Sequence, residues 1–208
     1  GSYFITTQTN AATPAIMILA DNNGKVIKEL ANAKGPEFDN YLLAKTELIR
    51  VKSDDGLFEL PMKVTWPLNM DKNKKYPVLI YQYSGPGSQT VLDGWFGSDY
   101  WWYQMLTQKG YIIAAVDPRG TGSRGEEFKK MTYLQLGKYE TMDMIEFAKY
   151  LGSQSYVDKD RIGIFGWSYG GYMSSLAILK GNEYFKAAIA VAPVTNWKWY
   201  DSVYTERY

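Results

Sequence analysis

The chain has 208 residues, 23 basic and 22 acidic, for a formal net charge of +1. So even a balance gives no electrostatic footing for nucleic acid or a membrane surface, and the length suffices for one sizeable core with at most a small appendage. Cysteine and histidine are both absent, which excludes disulfides and thiolate metal sites; no metal or cofactor is expected, and carboxylate-only Mg²⁺ or Ca²⁺ sites are the one such chemistry left open.

Tyr3–Thr9, Ala15–Ala20 and Lys25–Leu30 read as short strands, with Asp21-Asn22-Asn23-Gly24 as the turn between the last two. Three such strands are too few to fold alone, so they read as the end of a larger β domain. Gly1-Ser2 before them reads equally as native sequence or as an expression scar, and the start is not a signal peptide. Residues 31–45 read as a linker with a short helix, and Leu48–Val51 with Leu57–Trp66 as a hairpin around Ser53-Asp54-Asp55-Gly56.

From residue 76 the pattern alternates. Apolar strands are expected at Pro77–Tyr83, Tyr111–Val116, Arg161–Phe165 and Ala187–Ala192, with helices at Asp99–Lys109, Gly137–Gly152 and Ser168–Lys180. Apolar strands alternating with helices indicate a mostly parallel sheet covered on both faces, an α/β fold. No apolar run approaches the ~20 residues that span a bilayer.

Gly166-Trp167-Ser168-Tyr169-Gly170 matches G-x-S-x-G, follows a β run and opens a helix rich in small residues. That is a nucleophile elbow, a sharp strand-to-helix turn that presents a serine hydroxyl, here Ser168. Acyl transfer also needs donors for the developing oxyanion. The elbow supplies the N–H of Tyr169, and Tyr83, at the end of an earlier strand, offers a phenol. A serine of this kind needs a base, and the chain has no histidine. Lys180 and Lys186 sit in polar surroundings, and Asp201 or Glu206 cannot complete a relay without histidine. The base and its acid are therefore expected downstream of Tyr208. A sheet ending there would leave the Ala187–Ala192 strand with an open edge, to be covered by further chain or by self-association. Gly120-Thr121-Gly122-Ser123-Arg124-Gly125 matches G-x-G-x-x-G, but no strand follows at the distance a dinucleotide unit requires, so it reads as a structural loop.

Gly166-Trp-Ser-Tyr-Gly-Gly-Tyr172, Ala190-Val-Ala-Pro-Val194 and Trp199-Tyr-Asp-Ser-Val-Tyr-Thr-Glu-Arg-Tyr208 together closely resemble the prolyl oligopeptidase family of serine peptidases. Lys74–Gly87 and Asp117-Pro-Arg-Gly-Thr-Gly122 fit as well, so the similarity covers essentially the whole chain. The resemblance implies a β-propeller whose last strands are residues 1–30, followed by the first part of an α/β-hydrolase catalytic domain, residues 31–208. It implies release of N-terminal dipeptides carrying proline or alanine second. By motif, Ser168 is the nucleophile, while the Tyr83 hydroxyl and Tyr169 N–H form the oxyanion hole. Val194, Trp197, Tyr200 and Tyr204 fall at positions lining the pocket for the substrate proline ring. Without the family, Tyr200 and Tyr204 would read as helix packing at i,i+4. The same resemblance implies a secreted or periplasmic homodimer acting on peptides with proline in the second position. Tripeptidyl and acylaminoacyl peptidases, esterases of the same fold, and an inactive binding homologue are the alternatives.

Overall fold

The structure, a computed structural model, describes residues 1–95 and 99–208. It contains two sheets. The smaller is an antiparallel meander of β1 (Tyr3–Asn10), β2 (Thr13–Asp21) and β3 (Val26–Asn32). The turn before β3 forms because the Asp21 carboxylate accepts the N–H groups of Asn23 and Lys25, both at 2.9 Å, and Gly24 takes a left-handed φ of 83°. The short helix expected in the linker is a 3₁₀ turn at Pro36–Asn40.

The larger sheet holds β4 (Thr46–Lys52), β5 (Glu59–Thr65), β6 (Tyr76–Tyr81), β7 (Ile112–Val116), β8 (Val157–Trp167) and β9 (Ala187–Val191) in the spatial order β4-β5-β7-β6-β8-β9. β4 and β5 form the antiparallel hairpin, β5 also runs antiparallel to β7, and β7, β6, β8 and β9 are parallel neighbours. Parallel neighbours need crossovers, which α1 (Asp99–Gln108), α3 (Lys138–Gly152) and α4 (Tyr169–Lys180) provide. Side-chain alternation divides the strands between two faces. Val78, Ile80, Ile112, Ala114, Ile162 and Ile164 meet Met144, Phe147 and Leu151 of α3 and Met173 and Ala177 of α4 in one core. On the other face Tyr81 packs at a tilt against Tyr103 of α1 and Phe165 of β8, and Trp102 of α1 also meets Phe165. Helices thus cover both faces, as the alternating pattern requires.

Several boundaries differ from the sequence reading by a few residues, and one short element went unread. β8 begins at Val157, because Val157 pairs with Tyr76 across a register shift that the periodicity does not show. β6 ends at Tyr81, so Tyr83 belongs to the loop beyond it. A five-residue helix, α2 (Glu126–Lys130), follows the Gly120–Gly125 loop. That loop spends its amides on its own surroundings. The Gly120 N–H donates to the Phe128 carbonyl at 2.9 Å and the Gly122 N–H to the Ser88 carbonyl at 2.7 Å. A phosphate cradle needs such amides free.

Two buried cations tie the fold together. Arg119, fully buried after β7, meets Asp143 of α3 and Asp54 and Asp55 in the β4–β5 turn. Its Nε lies 3.0 Å from both Asp143 oxygens, its Nη2 2.6 Å from Oδ1, and its own backbone N–H donates to Oδ2 at 2.7 Å. Burial still pushes Asp143 up to about 6. Lys63 of β5 donates to the Leu92 and Gly94 carbonyls at 3.0 and 3.1 Å, and burial lowers it to about 8. Between those carbonyls, Asp93 accepts the Ala11 N–H at 2.8 Å, so the same loop holds the tip of the small sheet.

Candidate active site

The parallel strands aim their carboxyl ends the same way, and the crevice beyond such ends is where open α/β sheets bind ligands. Three non-glycine residues with left-handed φ stand there: Ser84 (66°) after β6, Ser168 (57°) after β8 and Ala192 (44°) after β9. Such backbone costs about 1–3 kcal/mol per residue and clusters where function requires it.

Ser168 occupies the strained corner between β8 and α4, with φ 57° and ψ −114°. Its N–H donates to the Val191 carbonyl at 2.9 Å and its carbonyl accepts the Tyr172 N–H at 3.0 Å. A serine at a helix start ordinarily spends its hydroxyl on capping. The Ser168 hydroxyl makes no cap bond. The corner is so tight that its three glycines have no room for a side chain. A Cβ on Gly166 would strike the Gly170 backbone and lie 2.6 Å from Gln82 Nε2; one on Gly171 would lie 2.7 Å from the Val191 carbonyl oxygen.

Tyr83 lies against this corner. A Cβ on Gly170 would strike the Gln82 carbonyl and come within 3.2 Å of the Tyr83 Cα. The Tyr83 ring is 38 % exposed, and its centroid is 6.3 Å from that of Tyr169. What fixes this loop is Gln82, which is fully buried. Its Nε2 donates to the Gly170 carbonyl at 2.7 Å and to Ser174 Oγ at 3.1 Å, while its Oε1 accepts from Ser84 Oγ at 2.7 Å. One amide therefore pins the tyrosine loop to the helix that begins at the serine. Spacing gave no sign of Gln82, because its partner Gly170 is 88 positions away.

Beyond β9 the chain makes two capped turns. Asn196 accepts the Lys198 N–H at 2.9 Å and starts a 3₁₀ turn at Trp197–Trp199, and Asp201 accepts the Tyr204 N–H at 2.8 Å and starts α5 (Ser202–Thr205). Tyr200 is the extended residue between them, so Tyr200 and Tyr204 do not share a helix face. The turns bring the rings together instead. Trp197 and Tyr204 stack with centroids 5.6 Å apart and planes 15° apart, and Tyr200 meets both edge-on at 5.8 and 5.4 Å. Trp197 continues the contact to Tyr169 at 5.7 Å and to Tyr172 at 5.3 Å. Val194 is half-buried in the stretch between β9 and the first turn. Six of the seven residues singled out from sequence thus occupy one neighbourhood: Tyr169 joins Tyr83 on one side to the Trp197, Tyr200 and Tyr204 wall on the other, next to Ser168. Burial raises the hydroxyls of Tyr169, Tyr172 and Tyr204, keeping them neutral donors. A separate cleft of about 550 Å³, between the β4–β5 hairpin and α2, is lined by none of these residues.

A strained serine at a strand–helix corner on this sheet defines an α/β-hydrolase, and the chain belongs to the prolyl oligopeptidase family, whose sequence pattern matches residues 97–208. A Trichophyton verrucosum protein described as a dipeptidyl-aminopeptidase B is 45 % identical over 190 residues, 91 % of this chain and 21 % of the relative. The Bos taurus prolyl endopeptidase FAP is 43 % identical over 193 residues, 93 % of this chain and 24 % of the relative. Among solved structures, Porphyromonas gingivalis dipeptidyl peptidase 4 superposes with a TM-score of 0.91 at 44 % identity, covering 99 % of this chain and 29 % of that one. A Bacteroides ovatus protein described as a dipeptidyl aminopeptidase IV gives 0.93 at 37 %, covering 100 % and 29 %. The chain therefore spans between a fifth and a third of the length of these relatives. Their folds account for both sheets, the small one as the end of a β-propeller and the large one as part of the hydrolase.

Proposed function

We propose that this chain is the nucleophile-bearing part of a serine exopeptidase that releases N-terminal dipeptides with proline or alanine in the second position. The observation that carries the reading is the Ser168 corner: a left-handed serine whose hydroxyl is not spent on capping, with Tyr83 held against the same corner.

The Ser168 Oγ adds to the carbonyl carbon of the substrate's second residue as its proton passes to a base. The tetrahedral oxyanion accepts hydrogen bonds from the Tyr169 N–H and the Tyr83 hydroxyl. Collapse breaks the C–N bond, the leaving amine takes the proton, and water hydrolyses the acyl-serine to free the dipeptide. The base is a histidine with its acid partner, supplied by a longer polypeptide, since this chain has none. Rings that already pack on one another lose little rotamer entropy when they enclose a flat, apolar proline; Trp197, Tyr200, Tyr204 and Val194 form that wall. Residues 1–30 end the propeller and 31–208 begin the catalytic domain, and the full-length protein is a secreted or periplasmic homodimer.

The test is turnover of Gly-Pro, Gly-Gly-Pro and acetyl-Ala anilides by the full-length gene product. Preference for Gly-Pro, abolished in Ser168→Ala, is the expected result, with no turnover by the isolated chain. Preference for either of the other two substrates would move the protein to a tripeptidyl or acylaminoacyl peptidase, and no turnover of any by the full-length protein would leave a binding role.

A further inference from the structure

Tyr169 enters the reading above only through its backbone N–H. Its side chain is more elaborately held than that role needs. The ring is 2 % exposed and touches Tyr83 on one side, and Tyr172 and Trp197 on the others. The hydroxyl reaches across to α3 and donates to Glu140 Oε1 at 2.6 Å. Glu140 is itself fully buried, in the first turn of α3. A carboxyl taken out of water is costly unless it is bonded, and this one is aimed at the residue that follows the nucleophile.

We infer that Glu140 is a positioning residue for acyl transfer: through the Tyr169 hydroxyl it fixes the ring that sets the Tyr169 N–H, the Tyr83 phenol and the Trp197 wall in register around Ser168. This rests on the reading of Ser168 and the oxyanion donors given above. The ring touches both Tyr83 and the Trp197 wall, and the peptide that carries its N–H is the first of α4. Freed at the hydroxyl, the ring turns about its side-chain torsions, and neighbours on both sides follow. Glu140 also sits one helical turn before Asp143, which Arg119 clamps to the β4–β5 hairpin. α3 is therefore a fixed post rather than a mobile one.

Burial pushes Glu140 up to about 7, against the pull of the Tyr169 hydroxyl on Oε1, and among the described residues its Oε2 has no hydrogen-bond partner. A neutral group of the same shape can accept the same bond, which makes Glu140→Gln the conservative variant. Tyr169→Phe keeps the ring and deletes the bond. Glu140→Ala deletes the bond and the side chain together.

The experiment is steady-state kinetics of the full-length enzyme on a Gly-Pro anilide, with kcat expressed per active serine titrated by a fluorophosphonate. Melting temperatures of each variant are recorded alongside. Misplacing reacting groups by about 1 Å costs up to ~10²-fold, so Tyr169→Phe and Glu140→Ala should each lower kcat about 10- to 100-fold, with KM within about threefold. Glu140→Gln should recover to within about threefold of the parent, and the Tyr169→Phe/Glu140→Ala double variant should be no worse than the poorer single one. An unchanged kcat in Tyr169→Phe, losses confined to KM, or multiplicative losses in the double variant would each overturn the inference. If Glu140→Ala fails to fold, the Tyr169→Phe and Glu140→Gln pair still decides it. Ser168→Ala separates the two levels: retained turnover there refutes the reading of the site, whereas its loss beside an unaffected Tyr169→Phe refutes this inference alone.

Discussion

Replacing Arg119 by Met should cost the fold more than any exposed ion pair could, and the cost should depend on pH. The guanidinium and the Asp143 carboxylate are both fully buried, whereas Asp54 and Asp55 keep about a third of their surface in water (32 % and 34 %). Solvent screens the latter two, so their loss is minor. The large term is Asp143, left charged and dry with the Arg119 N–H as its remaining partner, and breaking a buried pair on one side costs about 3–5 kcal/mol. Burial already places Asp143 at about 6, above its ordinary value of 3.8. The folded state thus holds this proton more tightly than the unfolded one, so stability falls as pH rises through the window between those values. Without Arg119 the upper limit of that window moves higher. The deficit of Arg119→Met should therefore be about 3–5 kcal/mol at pH 8 and about 1 kcal/mol at pH 5, where protonation removes the stranded charge. Urea unfolding followed by tryptophan fluorescence measures both. Adding Asp143→Asn, which keeps an acceptor for the Arg119 N–H, should restore at least half of the loss at pH 8. A deficit below about 1 kcal/mol at pH 8, an equal deficit at both pH values, or a double variant worse than the single one would refute the argument.

Two further outcomes are expected of the full-length enzyme. Tyr83→Phe, which removes one of the two proposed oxyanion donors, should lower kcat about 10²- to 10³-fold with KM nearly unchanged; steady-state kinetics on a Gly-Pro anilide would show otherwise if the phenol were only packing. Gly170→Ala puts a methyl group against the Gln82 carbonyl and the Tyr83 Cα, both backbone, and should cost about 1–3 kcal/mol in stability along with much of the activity. A variant that melts and turns over like the parent would show that close approach does not hold the corner.

Local order was the part most legible in the residues. The buried strands and longer helices announce themselves by their apolar residues, though not the first residues of β8, and Asp21-Asn22-Asn23-Gly24 states its own turn. The serine corner was readable too, because Gly166, Gly170 and Gly171 are local consequences of a tight bend. Short elements were not. α2 and α5 have five and four residues, too few for a period, and α5 depends on the Asp201 cap. Long-range polar pairs were also silent: nothing near Gln82 points to Gly170, nor near Glu140 to Tyr169, because such partners are chosen by the fold and not by spacing. The aromatic wall stood between these cases. Trp197, Tyr200 and Tyr204 were suggested by resemblance alone, and i,i+4 spacing would have put the tyrosines on one helix that does not exist.

The strand order dictates when the Ser168 corner can be completed. β6 lies between β7 and β8, and β8 is made last of the three, so Tyr83 has no corner to rest against until the strand before Ser168 is in place. Those two residues are 85 positions apart, which at ~5–20 residues per second is roughly 4–17 s of synthesis. Throughout that interval the chain carries neither a finished elbow nor a held phenol. Until then the nascent polypeptide lacks the proposed catalytic corner, and a copy that fails to insert β6 leaves Tyr83 away from Ser168.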